Sequence, residues 1–252
     1  MEALIKAYCT PAVSEAHAGF RDHTGEHEWE NLGTVRRPTL NRAGEEKLRC
    51  MTCGVTTYRI VYGESTIVTG KCGTEVYWRF DPQTGTLIIS GNGDMWDMYG
   101  GWYDEELGGY GYPYVGRVSE GRPANVMACD PVINSDDVKT VIVEEGVKRI
   151  GSSAFDSFLN LERAVFPASA ASFGENGYPV FDMNPSLQMI VFQGDATNIV
   201  LNALTYEKCF LFYPADNCSW IDRLEEFQSD NRVKGLYAYD ADMDIMALNC
   251  AE

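Results

Sequence analysis

The chain has 252 residues, 45% of them hydrophobic and 12% aromatic, with 24 glycines. That make-up belongs to a folded, turn-rich protein of one large or two small domains and excludes a disordered chain. Its 37 acidic and 20 basic residues give a formal net charge of -17, which repels a phosphate backbone and an anionic bilayer alike and argues against a nucleic-acid partner. No stretch reaches the roughly 18–20 apolar residues of a bilayer span, so no membrane insertion is expected.

Taken in chain order, residues 1–22 carry little periodicity and read as a leader or a short helix. They lack a basic region followed by an apolar run, so an export signal is absent from this stretch. Residues 23–68 alternate β-prone runs, such as TTYRIVY at 56–62, with turn material such as RRPTLNRAGEE, and predict a small β module carrying Cys50-x-x-Cys53. Residues 69–136 open with EVYWRFDPQTGTLIIS, where Val76, Trp78 and Phe80 alternate on one face before a DPQTG turn. That pattern predicts a β-hairpin, with Gly85 supplying the positive φ that closes it. From Gly91 to Pro123 glycines and aromatic residues crowd together with neither helix nor strand period, which predicts a long loop.

Residues 137–252 repeat. Units begin at Val138, Leu161, Leu187 and Phe210, at offsets of 23, 26 and 23 residues. Val138, Val141 and Val143 correspond to Leu161, Ala164 and Phe166, and these to Leu187, Ile190 and Phe192. One short strand per unit is expected, and a unit of this size buries too little apolar surface to stand alone, so neighbours must stack. The expected fold is mainly β with short helices: a short leucine-rich-repeat-like solenoid behind a small β-rich N-terminal region. The hairpin before Asp137 and the segment after Phe210 are its expected caps.

In the first unit Gly146, Val147, Ile150, Gly151, Ala154, Phe155 and Leu161 fill the pattern of BspA-like (type 5) leucine-rich repeats of bacterial surface proteins, which the chain resembles. CGTEVYWRFDPQTGTLIISGNGDM is similar to the hairpin that precedes such repeats, and LFYPADNCSW to their closing segment. HEW at 27–29, PTL at 38–40, Gly44 and CMTCG at 50–54 resemble a small module of surface proteins, which commonly has a cysteine where Leu40 stands. The resemblance implies export, a place at the cell surface or release from it, binding of macromolecules, and no reaction.

Two groups of residues are candidate sites. His23 and His27 together with Cys50 and Cys53 supply the Cys₂His₂ set that structural zinc takes. Two unlinked thiols are the preferred reading, structural zinc the second, and a Cys50–Cys53 disulfide the third. Cys209 and Cys218 either bridge locally or pack as small apolar side chains. The second group is the aromatic loop, where Trp102, Tyr103, Tyr110 and Tyr112 are expected to contact a ligand.

No catalytic residues stand out. The only histidines, His17, His23 and His27, fall in one segment without a nucleophile motif, and no glycine-rich phosphate loop follows a strand. Asp240, Asp242 and Asp244 begin like a calcium loop, but Ile245 occupies its glycine position and Ala251 its twelfth, so an acidic tail is the reading. The expected function is non-catalytic recognition of a protein or glycan, through the strand face of the repeats and the aromatic loop. The rivals are a carbohydrate-active enzyme using carboxylates such as Asp104, Glu105 and Glu106, and an acidic intracellular partner or inhibitor.

Overall fold

The computed structural model describes residues 27–97, 133, 135–174 and 178–248, and the backbone of Trp102–Asp104 and Gly109–Gly111. The described residues are mainly strands, with a few short helices. Two compact units are present, one of residues 1–68 and 103–133, the other of residues 69–102 and 134–252. No described helix is long and apolar enough to cross a membrane.

In the first unit β1 (Trp29–Arg36), β2 (Gly44–Cys50) and β3 (Thr56–Val61) form an antiparallel sheet in chain order. Cross-strand ion pairs fix its register: Arg49 with Glu30 and Arg59 with Glu46, each at 2.6 Å. In β2, Gly44, Leu48 and Cys50 are buried, whereas β1 is exposed from Trp29 to Val35. The loop before β2 is tied down by the Thr66 hydroxyl, which donates to the Thr39 carbonyl at 2.7 Å.

The second unit begins with β4 (Val68–Lys71) and the hairpin β5 (Val76–Asp81) and β6 (Thr86–Gly91), in which Val76, Trp78 and Phe80 alternate inward as expected. Gly85 has φ of 67° in the turn. β7 (Gly93–Asp94) follows, and then the chain passes at residue 103 into the first unit, where the backbone of β8 (Trp102–Asp104) pairs with β9 (Gly109–Gly111). Residues 91–123 are therefore not strandless; glycines hide the strand period by removing the side chains that would show it. The chain continues with β10 (Thr140–Val143), β11 (Val147–Ile150), β12 (Arg163–Phe166), β13 (Ser172–Phe173) and β14 (Met189–Phe192). It then forms α1 (Leu201–Leu204), β15 (Cys209–Pro214), α2 (Cys218–Ile221), α3 (Leu224–Ser229) and β16 (Val233–Tyr239).

Eight of these strands share one sheet in the order β16-β15-β14-β12-β10-β6-β5-β4, and every pair from β6 to β16 is parallel. Val141 stands beside Ala164 and Ala164 beside Ile190, the register that the repeat offsets predict, whereas Ile190 stands beside Leu211, two residues before the Tyr213 that the last offset gives. Leu87 extends the same row backward, so the return strand of the hairpin is itself part of the ladder. A second parallel sheet runs β13-β11-β7. Its middle strand is the Val147–Ile150 stretch, in which Val147 and Ile150 are buried and draw the segment into extended pairing.

The inward row of the large sheet packs against a series of rings. Phe155 meets Phe181 at 5.5 Å, Phe166 meets Phe192 at 5.7 Å, and Phe192, Trp220 and Phe227 follow at 5.4 Å steps. All six are buried, and rings at these separations add to the burial energy itself. Polar groups at the corners bond between neighbouring units. Buried Asn184 donates to the carbonyls of Phe155 and Phe158, at 2.9 and 3.3 Å. The Glu145 carboxylate accepts from the amides of Ala168 and Ser169, and the Ser169 hydroxyl accepts from the Gly146 amide at 2.9 Å.

Candidate functional site

Two places carry side chains arranged for recognition. The first lies at one end of the β1–β3 sheet. Trp29 pairs with Cys50 across β1 and β2, and the Met51 amide donates to the Glu28 carbonyl at 2.8 Å, so the residue just before β1 is brought to the β2–β3 turn. That turn is closed by the Cys50 amide on Val55 and the Gly54 amide on Cys50, with Gly54 at φ of 78°. His27 stacks on Trp29 at 4.9 Å between ring centres. As a result the His27 ring nitrogens and the sulfurs of Cys50 and Cys53 converge, with ligand atoms all within 4.8 Å of one another. Cys53 Sγ lies 3.6 Å from His27 Nδ1, and the Cys53 amide lies 3.5 Å from Cys50 Sγ. Cys50 is buried, and both cysteines carry thiols rather than a disulfide. Burial pushes the Cys53 thiol above its ordinary value; the Val55 backbone pulls it down, and the Cys50 sulfur pushes it up again. His23 lies outside the described residues, and among the described residues no other histidine, cysteine or carboxylate joins the group.

The second place is the outward face of the large sheet, where Tyr77 and Arg79 of β5 align with Ser90 and Ile88 of β6, and Ile88 with Ile142 and Val165. Its two ends differ. Toward β5 the face is open: Tyr77 and Arg79 are exposed, Ile88 and Ile142 half-buried, and Lys71 sits 5.8 Å from the Tyr77 ring. Toward β15 it is apolar and covered. Val165, Met189, Val191, Phe212 and Tyr239 form a buried cluster, and Ile245 and Leu248 from the stretch after β16 pack onto it. Arg163 fastens that stretch, donating to the carbonyl of Met246 at 2.6 Å and to that of Leu248. The Tyr239 hydroxyl donates to the Phe192 carbonyl at 2.8 Å, and burial, with the Asp216 charge in second place, pushes it up to about 12.

The strand face expected to meet a ligand is thus partly taken by the chain itself. Sequence reading misses this because the covering stretch is dominated by Asp240, Asp242 and Asp244, while Ile245 and Leu248 are spaced too irregularly to register as a strand or a long helix. Tyr77 and Arg79 are missed too, although their alternation with Val76, Trp78 and Phe80 already assigns them to the outward face. Trp102, Tyr103 and Tyr110 lie on β8 and β9, of which only the backbone is described, and Tyr112, Glu105 and Glu106 lie outside the described residues. Cys209 is buried and Cys218 exposed, and both are thiols.

No protein-family model matches the chain, and no curated protein does. Among solved structures it is similar to a leucine-rich repeat protein from Eubacterium ventriosum ATCC 27560, at 16% identity and a TM-score of 0.30. That match covers 58% of this chain and 44% of the other, so the chain spans less than half the length of the protein it matches.

Proposed function

We propose that this chain is a non-catalytic binding protein, secreted or held at the cell surface, that recognises a protein or glycan. Its parallel ladder is read as a short solenoid of leucine-rich-repeat-like units of the BspA-like kind, resting on the residues from Gly146 to Leu161 that fill that pattern. The observation that carries the functional reading is the open end of the outward sheet face. There an exposed ring, Tyr77, and an exposed cation, Arg79, stand on strands held by hydrogen bonds on both sides, next to half-buried Ile88 and Ile142. Rigid aromatic and arginine side chains beside aliphatic surface are the composition that carries binding energy at interfaces. The rings of Trp102, Tyr103, Tyr110 and Tyr112 are the second contribution, proposed on their composition.

The test is retention of the purified chain on immobilised mucin, collagen, fibrinogen and cell-wall polysaccharide. Binding of at least one of them with Kd of about 10 μM or tighter is expected. Failure to bind any of the four at protein concentrations of about 100 μM contradicts the reading.

A further inference from the structure

We propose that His27, Cys50 and Cys53 bind one zinc ion, which staples the β1–β3 sheet. The donor set comes first. Two thiolates and an imidazole are the ligands zinc takes in preference to the oxygen donors of magnesium or calcium. Geometry supports it independently. Zinc–sulfur and zinc–nitrogen bonds of about 2.3 and 2.0 Å at a tetrahedral centre place sulfur and nitrogen about 3.5 Å apart. Cys53 Sγ and His27 Nδ1 stand 3.6 Å apart, and Cys50 Sγ completes a group spanning no more than 4.8 Å. The Cys53 amide directed at Cys50 Sγ, at 3.5 Å, is placed to support negative charge on that sulfur.

The backbone is built around the group. Gly54, in the left-handed region at φ of 78°, lets the chain reverse after Cys53 so that both sulfurs lie on one side of the turn. The Met51–Glu28 hydrogen bond and the His27–Trp29 stack hold the imidazole at the same end.

Between residues 27 and 68 the buried apolar side chains are Ala43, Leu48, Cys50 and Val68. Among the described residues of this segment the apolar core is therefore small, and small folds are commonly stapled by metal or disulfide. With three protein ligands, the fourth zinc position is taken by water or by a further ligand. The inference stands apart from the proposed recognition of a macromolecule, since it concerns β1–β3 and not the face carrying Tyr77.

The experiment uses the full chain, purified under reducing conditions without chelator, with zinc measured by mass spectrometry. Cobalt(II) is then substituted and its absorption recorded. Wild type is expected to carry about one zinc per chain and, with cobalt, to show the thiolate charge-transfer band and intense visible bands of a tetrahedral site. Cys53→Ser and His27→Ala are each expected to lower zinc affinity at least tenfold, as judged by competition with a chromogenic chelator. Both positions lie at the turn or ahead of the sheet, and circular dichroism of the full chain checks that each variant is folded. The inference is overturned if reduced, folded wild type binds no zinc or cobalt. It is equally overturned if both variants hold the metal as tightly as wild type, or if mass spectrometry finds Cys50 and Cys53 joined as a disulfide in protein prepared without reductant but with zinc.

Discussion

Arg163 on β12 donates to the backbone carbonyl of Met246 at 2.6 Å across a separation of 83 residues. The bond joins the second repeat to the stretch that follows the last strand, and with it Ile245 and Leu248 cover Val165, Met189, Val191 and Phe212. A sheet face left apolar by its own strands is closed by the same chain, not left for a ligand.

Removing residues 241–252 should therefore uncover that cluster. Loss of roughly 2–4 kcal/mol of stability is expected from re-exposing several apolar side chains, together with a rise in binding of an apolar fluorescent dye. Arg163→Ala should show part of the same loss, about 1–3 kcal/mol, because two carbonyls lose a charged donor. Chemical denaturation of the three proteins side by side checks this; a truncated chain as stable as wild type would mean that the cover contributes nothing.

Gly146 and Gly93 both adopt positive φ, at 101° and 127°, yet their surroundings differ. A Cβ on Gly146 would lie 2.4 Å from the Gly91 carbonyl oxygen, whereas at Gly93 nothing lies within 4 Å. Gly93→Ala is expected to cost only the backbone strain, about 1–2 kcal/mol, and Gly146→Ala distinctly more, since the backbone of the preceding unit must shift. Melting temperatures of the two variants should fall in that order.

Asn184 is fully buried and serves two carbonyls that have turned away from the ladders. Asn184→Ala should reduce stability by about 1–3 kcal/mol, since desolvated acceptors are left behind. Asn184→Leu should do no better despite filling the space. A leucine variant as stable as wild type would show that the volume matters and the hydrogen bonds do not.

Asp156 supplies the pH dependence. Burial raises its carboxyl above the usual range, the Ser157 hydroxyl draws it back, and the Asp182 charge raises it again. Because the folded value exceeds the unfolded one, ionising this group opposes folding. The penalty is absent below the unfolded value and grows as pH rises through the folded one. The melting temperature of Asp156→Asn relative to wild type should accordingly climb between about pH 4 and pH 7. A difference that shrinks over that interval would contradict the assignment.

Much of the ladder is legible in the sequence because strand period and repeat offset reinforce each other. Val141, Ala164 and Ile190 align in the structure as they do in the text. β16 is not foreseen although Val233 lies 23 residues after Phe210, since Val233–Tyr239 has mixed exposure and gives no alternation to read. β7 and β13 are two residues each, below the length at which any period shows. Of the candidate metal group, spacing identifies the ligand types, but only cross-strand pairing of Trp29 with Cys50 reveals that His27 reaches the cysteines. Sequence separation hides such contacts, because they depend on register and not on local pattern.

The most direct measurement is the affinity of the Tyr77→Ala/Arg79→Ala double variant, compared with wild type, for whichever of mucin, collagen, fibrinogen or cell-wall polysaccharide retains the wild-type chain. Both side chains are exposed, so the fold should survive, and loss of two such contacts should weaken binding at least tenfold, or about 1.4 kcal/mol. Equal affinity of the two proteins, or no retention of the wild type on any of the four, would contradict recognition through this face.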